Sequence, residues 1–191
     1  MSDAWHRLSD GTRTGAVIAV ALVIGFLVWL LLIRDGGDDD AATTGGATTG
    51  PVRVSRAELA SFSNEIGQPI YWIGRQQGTK FELTHLADGR VYVRYLPNDV
   101  QIGDPEPDFL TVGTYPVADA RAALTNISQQ EGAISDTEDG GDTLIVTNES
   151  VPESVYLAHR NQDENFQVEV YDPDPDRAFE IATSGAVEPI G

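Results

Sequence analysis

Two short runs of carboxylates and a pair of histidines are the side chains of this sequence whose types and spacing could do chemistry. In Asp172-Pro173-Asp174-Pro175-Asp176 the acids alternate as they do at the start of a calcium loop. An EF-hand also needs glycine at loop position six and a carboxylate at position twelve, where this chain has Arg177 and Thr183. A helix start would use the same residues differently, with Asp174 as N-cap, Pro175 at the first helical position and Asp176 beside the positive end of the helix dipole. The cap is the expected role and calcium the alternative. Asp136, Glu138, Asp139 and Asp142 place four carboxylates within seven residues. They could gather round a hard cation, but in the glycine-containing segment Glu131–Asp142 they are expected to form a solvated loop. Divalent-cation binding is kept as the alternative, and no other cofactor is expected.

His85 and His159 end similar five-residue segments, Phe81-Glu82-Leu83-Thr84-His85 and Val155-Tyr156-Leu157-Ala158-His159. A metal centre needs three or four ligands, and neither histidine has the others nearby in sequence. The chain has no cysteine, hence no thiolate nucleophile, no disulfide and no Cys-ligated metal. It also lacks a G-x-S-x-G elbow, a P-loop and a G-x-G-x-x-G fingerprint after a strand. The expectation therefore leans away from an enzyme, and no residue stands out as nucleophile or base.

The element that must position everything else is Thr14–Ile33, twenty uncharged residues closed by Arg13 and Arg34. As a helix rising 1.5 Å per residue they would extend about 30 Å, the thickness of a bilayer hydrocarbon core. A cleaved signal peptide would have a shorter apolar core followed by a small-residue cleavage site. Here Arg34-Asp35-Gly36-Gly37 and three aspartates follow, so the segment is expected to stay as a single transmembrane helix. Arg7, Arg13 and the terminal amine precede it and Arg34 follows. The positive-inside rule then puts the N-terminus in the cytoplasm and the rest outside the plasma membrane.

The expected organisation is a cytoplasmic tail over 1–13, the membrane helix over 14–33, a linker over 34–51 and one acidic extracytoplasmic domain over 52–191. Asp35–Gly50 contains only Asp, Gly, Ala and Thr, a composition that buries no core and whose sixteen residues would reach about 20–24 Å r.m.s.. The net charge is −18 and it is uneven. Residues 52–131 hold ten acids and seven bases, and residues 132–191 fourteen acids and two bases. Such a chain repels nucleic acid and anionic surfaces, so no nucleic-acid partner is expected. The bilayer, through 14–33, is the first expected partner, and another envelope protein or wall polymer the second.

Within the domain, Ser55 and Glu58 form a capping box and Val54 and Leu59 have staple spacing. They predict a helix from Ser55 to Ile66, ended by Gly67. Ile70–Ile73 reads as a short strand. Lys80–Leu96 reads as a hairpin whose register follows from pairing side chains of like character. A three-residue loop, Ala87-Asp88-Gly89 with a G1 bulge, sets Phe81 opposite Tyr95, Leu83 opposite Val93, His85 opposite Val91 and Glu82 opposite Arg94. Strands are predicted at Phe109–Tyr115, Thr143–Thr147, Ser154–Arg160 and Phe166–Tyr171. A helix entered at Pro116 would bury Val117, Ala120, Leu124 and Ile127, and a last one would run from Pro175 to Ser184. The expected fold is thus an N-terminal transmembrane helix followed by an α+β domain, an antiparallel sheet of six or seven strands with three helices mainly on one face. The similarity of the two His-ended segments suggests internal duplication.

The segment FLTVGTYPVADARAAL, Phe109–Leu124, resembles the strand-into-helix entry of the sporulation-related repeat, a peptidoglycan-binding domain of bacterial envelopes. The resemblance covers sixteen residues and implies wall glycan as an alternative ligand. The functional expectation is a membrane-anchored binding or assembly module of the cell envelope.

Overall fold

A computed structural model describes residues 49–160 and 163–190. The apolar segment 14–33 and most of the expected linker lie outside the described residues, and no described helix is long and apolar enough to cross a membrane. The domain is α+β. In chain order its elements are β1 (Thr49–Val54), α1 (Arg56–Ile66), β2 (Tyr71–Trp72), β3 (Thr79–His85), β4 (Val91–Pro97) and β5 (Thr111–Pro116). They continue as α2 (Ala120–Ile127), β6 (Ala133–Glu138), a 3-10 turn (Asp139–Gly141), β7 (Thr143–Asn148), β8 (Ser154–His159), β9 (Phe166–Tyr171), α3 (Pro175–Thr183) and β10 (Glu188–Pro189).

The capping box at α1 forms in both directions. Glu58 N donates to Ser55 Oγ at 3.3 Å and Ser55 N donates to Glu58 Oε2 at 2.7 Å. Gly67 closes the helix with φ of 66°, a left-handed cap that favours glycine. Replacing Ser55 by alanine leaves the Glu58 N–H without its side-chain acceptor and is expected to cost about 1 kcal/mol, read as a lower urea midpoint.

Eight antiparallel strands form the main sheet in the order β1-β3-β4-β5-β9-β8-β7-β6, against the six or seven expected. β1 and β6 are the additions. The expected linker overlaps β1 at Thr49–Pro51, where Val52, Arg53 and Val54 pair with Leu83, Glu82 and Phe81 across a register shift. A Gly-Pro pair reads as linker, but an edge strand tolerates a proline whose missing N–H faces away from the ladder. The expected acidic loop is likewise strand over β6, each residue paired with β7 from Ala133↔Asn148 to Glu138↔Thr143. β2 stands outside the main sheet and pairs with β10. The β3–β4 hairpin has the bulged register read from the sequence, Phe81↔Tyr95 through His85↔Val91 with Glu82↔Arg94, and Gly89 has φ of 87°.

Alternation of side chains along each strand defines two faces. One carries Phe81, Leu83, Val93, Tyr95, Val112, Val155, Leu157, Val168 and Val170, which form one buried cluster with Leu59 of α1, Ala178 and Ala182 of α3, and Ile70–Ile73. α2 buries Ala120, Leu124 and Ile127 apart from that cluster. Because α2 and α3 both lie on β8 and β9, they take opposite faces of the same strands. Two helices, not three, therefore share the core face. Pro116 ends β5, and Asp119 caps α2 by accepting from Ala122 N at 2.8 Å.

The strand order joins two four-stranded runs at β5 and β9, and it is symmetric about that junction. The segments matched in sequence are not equivalent in it. β8 is second from the junction, as β4 is, whereas β3 is third.

Candidate functional site

The carboxylates singled out by sequence fall in two places. Asp174 accepts from Asp176 N at 3.1 Å as the N-cap of α3, Pro175 is the first helical residue, and Asp172 accepts from Asp174 N at 3.0 Å. Arg177 pairs with Asp172 at 3.1 Å. Asp172 and Asp174 thus serve the backbone at the helix start. Asp136 and Glu138 lie on β6, at the far edge of the sheet, and Asp139 and Asp142 at the adjoining 3-10 turn. Burial first, then the charges of Asp139 and Asp136, raise the Glu138 carboxyl above its ordinary pKa. Charge along an edge strand discourages pairing with another chain, which gives Asp136 and Glu138 a structural use. Among the described residues no group of three or more His, Asp or Glu side chains is arranged to hold a metal ion.

The two histidines are separate. His85 packs edge-on against Phe62, ring centres 5.4 Å apart. His159 stacks on Tyr71 at 5.2 Å, its Nδ1 is 3.0 Å from Thr143 Oγ1, and Tyr71 donates to Asp163 Oδ2 at 3.0 Å. Burial lowers the His159 pKa against the opposing pull of Asp163 and Asp139.

A polar network that the sequence did not signal lies on the second face of the sheet. Thr84, Tyr92, Gly113, Glu169, Tyr156 and Val146 follow one another across six strands. Glu169 is 2% exposed. It accepts from Ser154 Oγ at 2.6 Å and from the Tyr115 hydroxyl by a short bond. Burial raises the Glu169 pKa despite these donors, and raises those of Tyr115 and Tyr156 well above the ordinary range. Gly113 makes room for the Tyr115 ring, since a Cβ there would sit 2.7 Å from the hydroxyl oxygen. Gly113→Ala is therefore expected to destabilise the fold by about 1–3 kcal/mol and lower its thermal midpoint. The network fills the sheet face and pins strands together.

A surface feature open to a partner lies at the β1 edge. An open groove of about 750 Å³ is lined by Arg53 and Val54 of β1, Ser55 and Arg56 at the start of α1, Arg75 of the following loop, and Lys80 of β3. Residues 52–191 hold nine bases, seven before residue 132 and two after, and four of them line this groove with the single acid Glu58. Glu58 is engaged in the capping box, which holds its carboxyl below its ordinary pKa. The Arg56 guanidinium stands 5.6 Å from the centre of the Trp72 ring, a cation–π contact that restrains it. Lys80 Nζ donates to the carbonyl of Asn98 at 3.1 Å and to that of Val100. The four bases spread over Arg53–Lys80 form no run in sequence. Pairing of β1 with β3 brings them to one rim of a molecule that is otherwise strongly acidic.

Compared with known proteins, the chain matches no family model, no curated protein and no solved structure.

Proposed function

We propose that this chain is a single-pass membrane protein that displays an acidic α+β domain outside the plasma membrane as a binding module of the cell envelope. The observation that carries the binding role is the groove at the β1 edge, where four cations meet over an open volume of about 750 Å³. Sites of this size take ligands or partner segments, and basic side chains on an acidic molecule select an anionic one. The anchored part of the reading rests on the uncharged span 14–33 and its flanking arginines.

The intact chain should stay with vesicles in alkaline carbonate, and its domain should be cut by protease added to the outside of spheroplasts. Release by carbonate, or protection of the domain, would overturn the anchored topology. A wall-polymer partner is read separately, as sedimentation of the chain with purified sacculi.

A further inference from the structure

We propose that the groove lined by Arg53, Arg56, Arg75 and Lys80 docks onto the phosphate headgroups of the bilayer that anchors this chain. The inference rests on the anchored reading above and names the ligand of the groove. The sequence as a whole, at −18, argues for repulsion from an anionic surface, but the fold separates the charge. Residues 49–81 carry four bases and two acids, while residues 133–148 carry four acids, Asp136, Glu138, Asp139 and Asp142, and no base. β1 and β3 lie at one edge of the sheet, and β6 and β7, which hold or flank those four acids, at the other. A charged surface acts on the nearer charges most, because screening takes hold within about 8 Å at physiological salt. It attracts the β1 end and turns the acidic end away.

The chain also enters the domain at that end. β1 begins at Thr49, with fifteen residues between it and Ile33, and a segment of this composition is expected to reach about 19–23 Å r.m.s.. Such a tether supplies headgroups at an effective concentration on the order of millimolar, so individually weak contacts suffice. The chemistry fits phosphate. Three of the four cations are arginines, whose planar forks bind phosphate oxygens in pairs. Arg56 is held over Trp72, and Ser55–Arg56 open α1 with the positive end of its dipole.

The chain has no cysteine, so a single Ser61→Cys on the exposed side of α1 can carry a fluorescent donor in the full-length protein. Reconstitution uses phosphatidylcholine vesicles with or without about 30% phosphatidylglycerol, with an acceptor on the headgroups. Energy transfer is expected to rise at least about twofold with phosphatidylglycerol. It should return to the phosphatidylcholine level in about 0.5 M NaCl, and should not rise in the Arg53→Gln/Arg56→Gln/Arg75→Gln variant, whose folding is checked by circular dichroism. The salt response of the unsubstituted groove tests the idea independently of that variant.

Equal transfer in both vesicles overturns the proposal, and so does a rise that the triple variant keeps. Binding to sacculi that the triple variant loses, without any dependence on vesicle composition, would assign the groove to wall polymer and also overturn it. Carbonate extraction of the same samples reports the anchor separately. Should the anchor fail, flotation of the labelled chain with phosphatidylglycerol vesicles at neutral pH, lost in the triple variant, would still support the docking site, and absence of flotation would end it.

Discussion

Replacing Arg94 by alanine is expected to lower the unfolding free energy of the domain by about 3–5 kcal/mol, the usual consequence of removing one partner of a buried ion pair. Arg94 and Glu82 are 3% and 0% exposed and their charged atoms are 2.8 Å apart. The same guanidinium donates to the carbonyls of Asp104 and Glu106 at 2.9 and 2.8 Å and lies 5.1 Å from the centre of the Phe109 ring. The other oxygen of Glu82 accepts from Gly103 N at 2.5 Å. One pair thus ties the irregular segment after β4 to the sheet. Its loss strands a buried carboxylate and frees two carbonyls at once. Urea unfolding should show the lower stability, and limited proteolysis should show faster cleavage between residues 98 and 109. The double variant Glu82→Gln/Arg94→Ala should cost less than the two single changes added together, because residues in one network are coupled. Additive losses would mean that the two groups act independently.

The second large effect concerns Glu169. Its pKa is raised in the folded state by burial, so the folded protein holds the proton more tightly than the unfolded chain. Folding therefore favours the neutral acid over the carboxylate more than the unfolded chain does. The associated stability is fully present below the ordinary carboxyl range and is lost as pH rises from there through the folded pKa. Each unit of that elevation is worth about 1.4 kcal/mol. Glu169→Gln keeps a neutral acceptor for Ser154 and Tyr115 and has no proton to lose. Its urea midpoint relative to the parent should therefore be higher at pH 8 than at pH 4.5. Glu169→Leu instead removes the acceptor of both hydroxyls. It should be destabilising at both pH values, by about 1–3 kcal/mol for each buried hydroxyl left without a partner. If the Gln variant tracks the parent at every pH, Glu169 does not titrate as burial requires.

The sequence was most legible where a local rule had one solution. Ser55 and Glu58 are three apart and Gly67 follows, so the limits of α1 could be read without any tertiary contact. The β3–β4 register was equally readable, because only the bulged loop sets Glu82 against Arg94 and keeps apolar side chains opposite one another. Asp174 and Pro175 announced α3 for the same reason. β1 and β6 were hidden. Thr49-Gly50-Pro51 and Ser135-Asp136-Thr137-Glu138 have poor strand composition, and they become strands because β3 and β7 offer unpaired backbone groups beside them. The candidate groove was hidden with β1, since its cations meet only through that pairing.

What the residues settled alone is the α+β character of the domain, the limits of its best-capped helices, one hairpin register and the absence of any cysteine-based chemistry. Tertiary structure decided which strands neighbour which, that both faces of the central strands are buried, and that four of the few bases share one rim. The physical reason is range. Caps and tight turns are fixed by bonds across three or four residues, whereas the cationic rim needs β1 set beside β3, and a carboxyl such as Glu169 beneath Tyr115 depends on strands more than fifty residues apart in the chain coming into register.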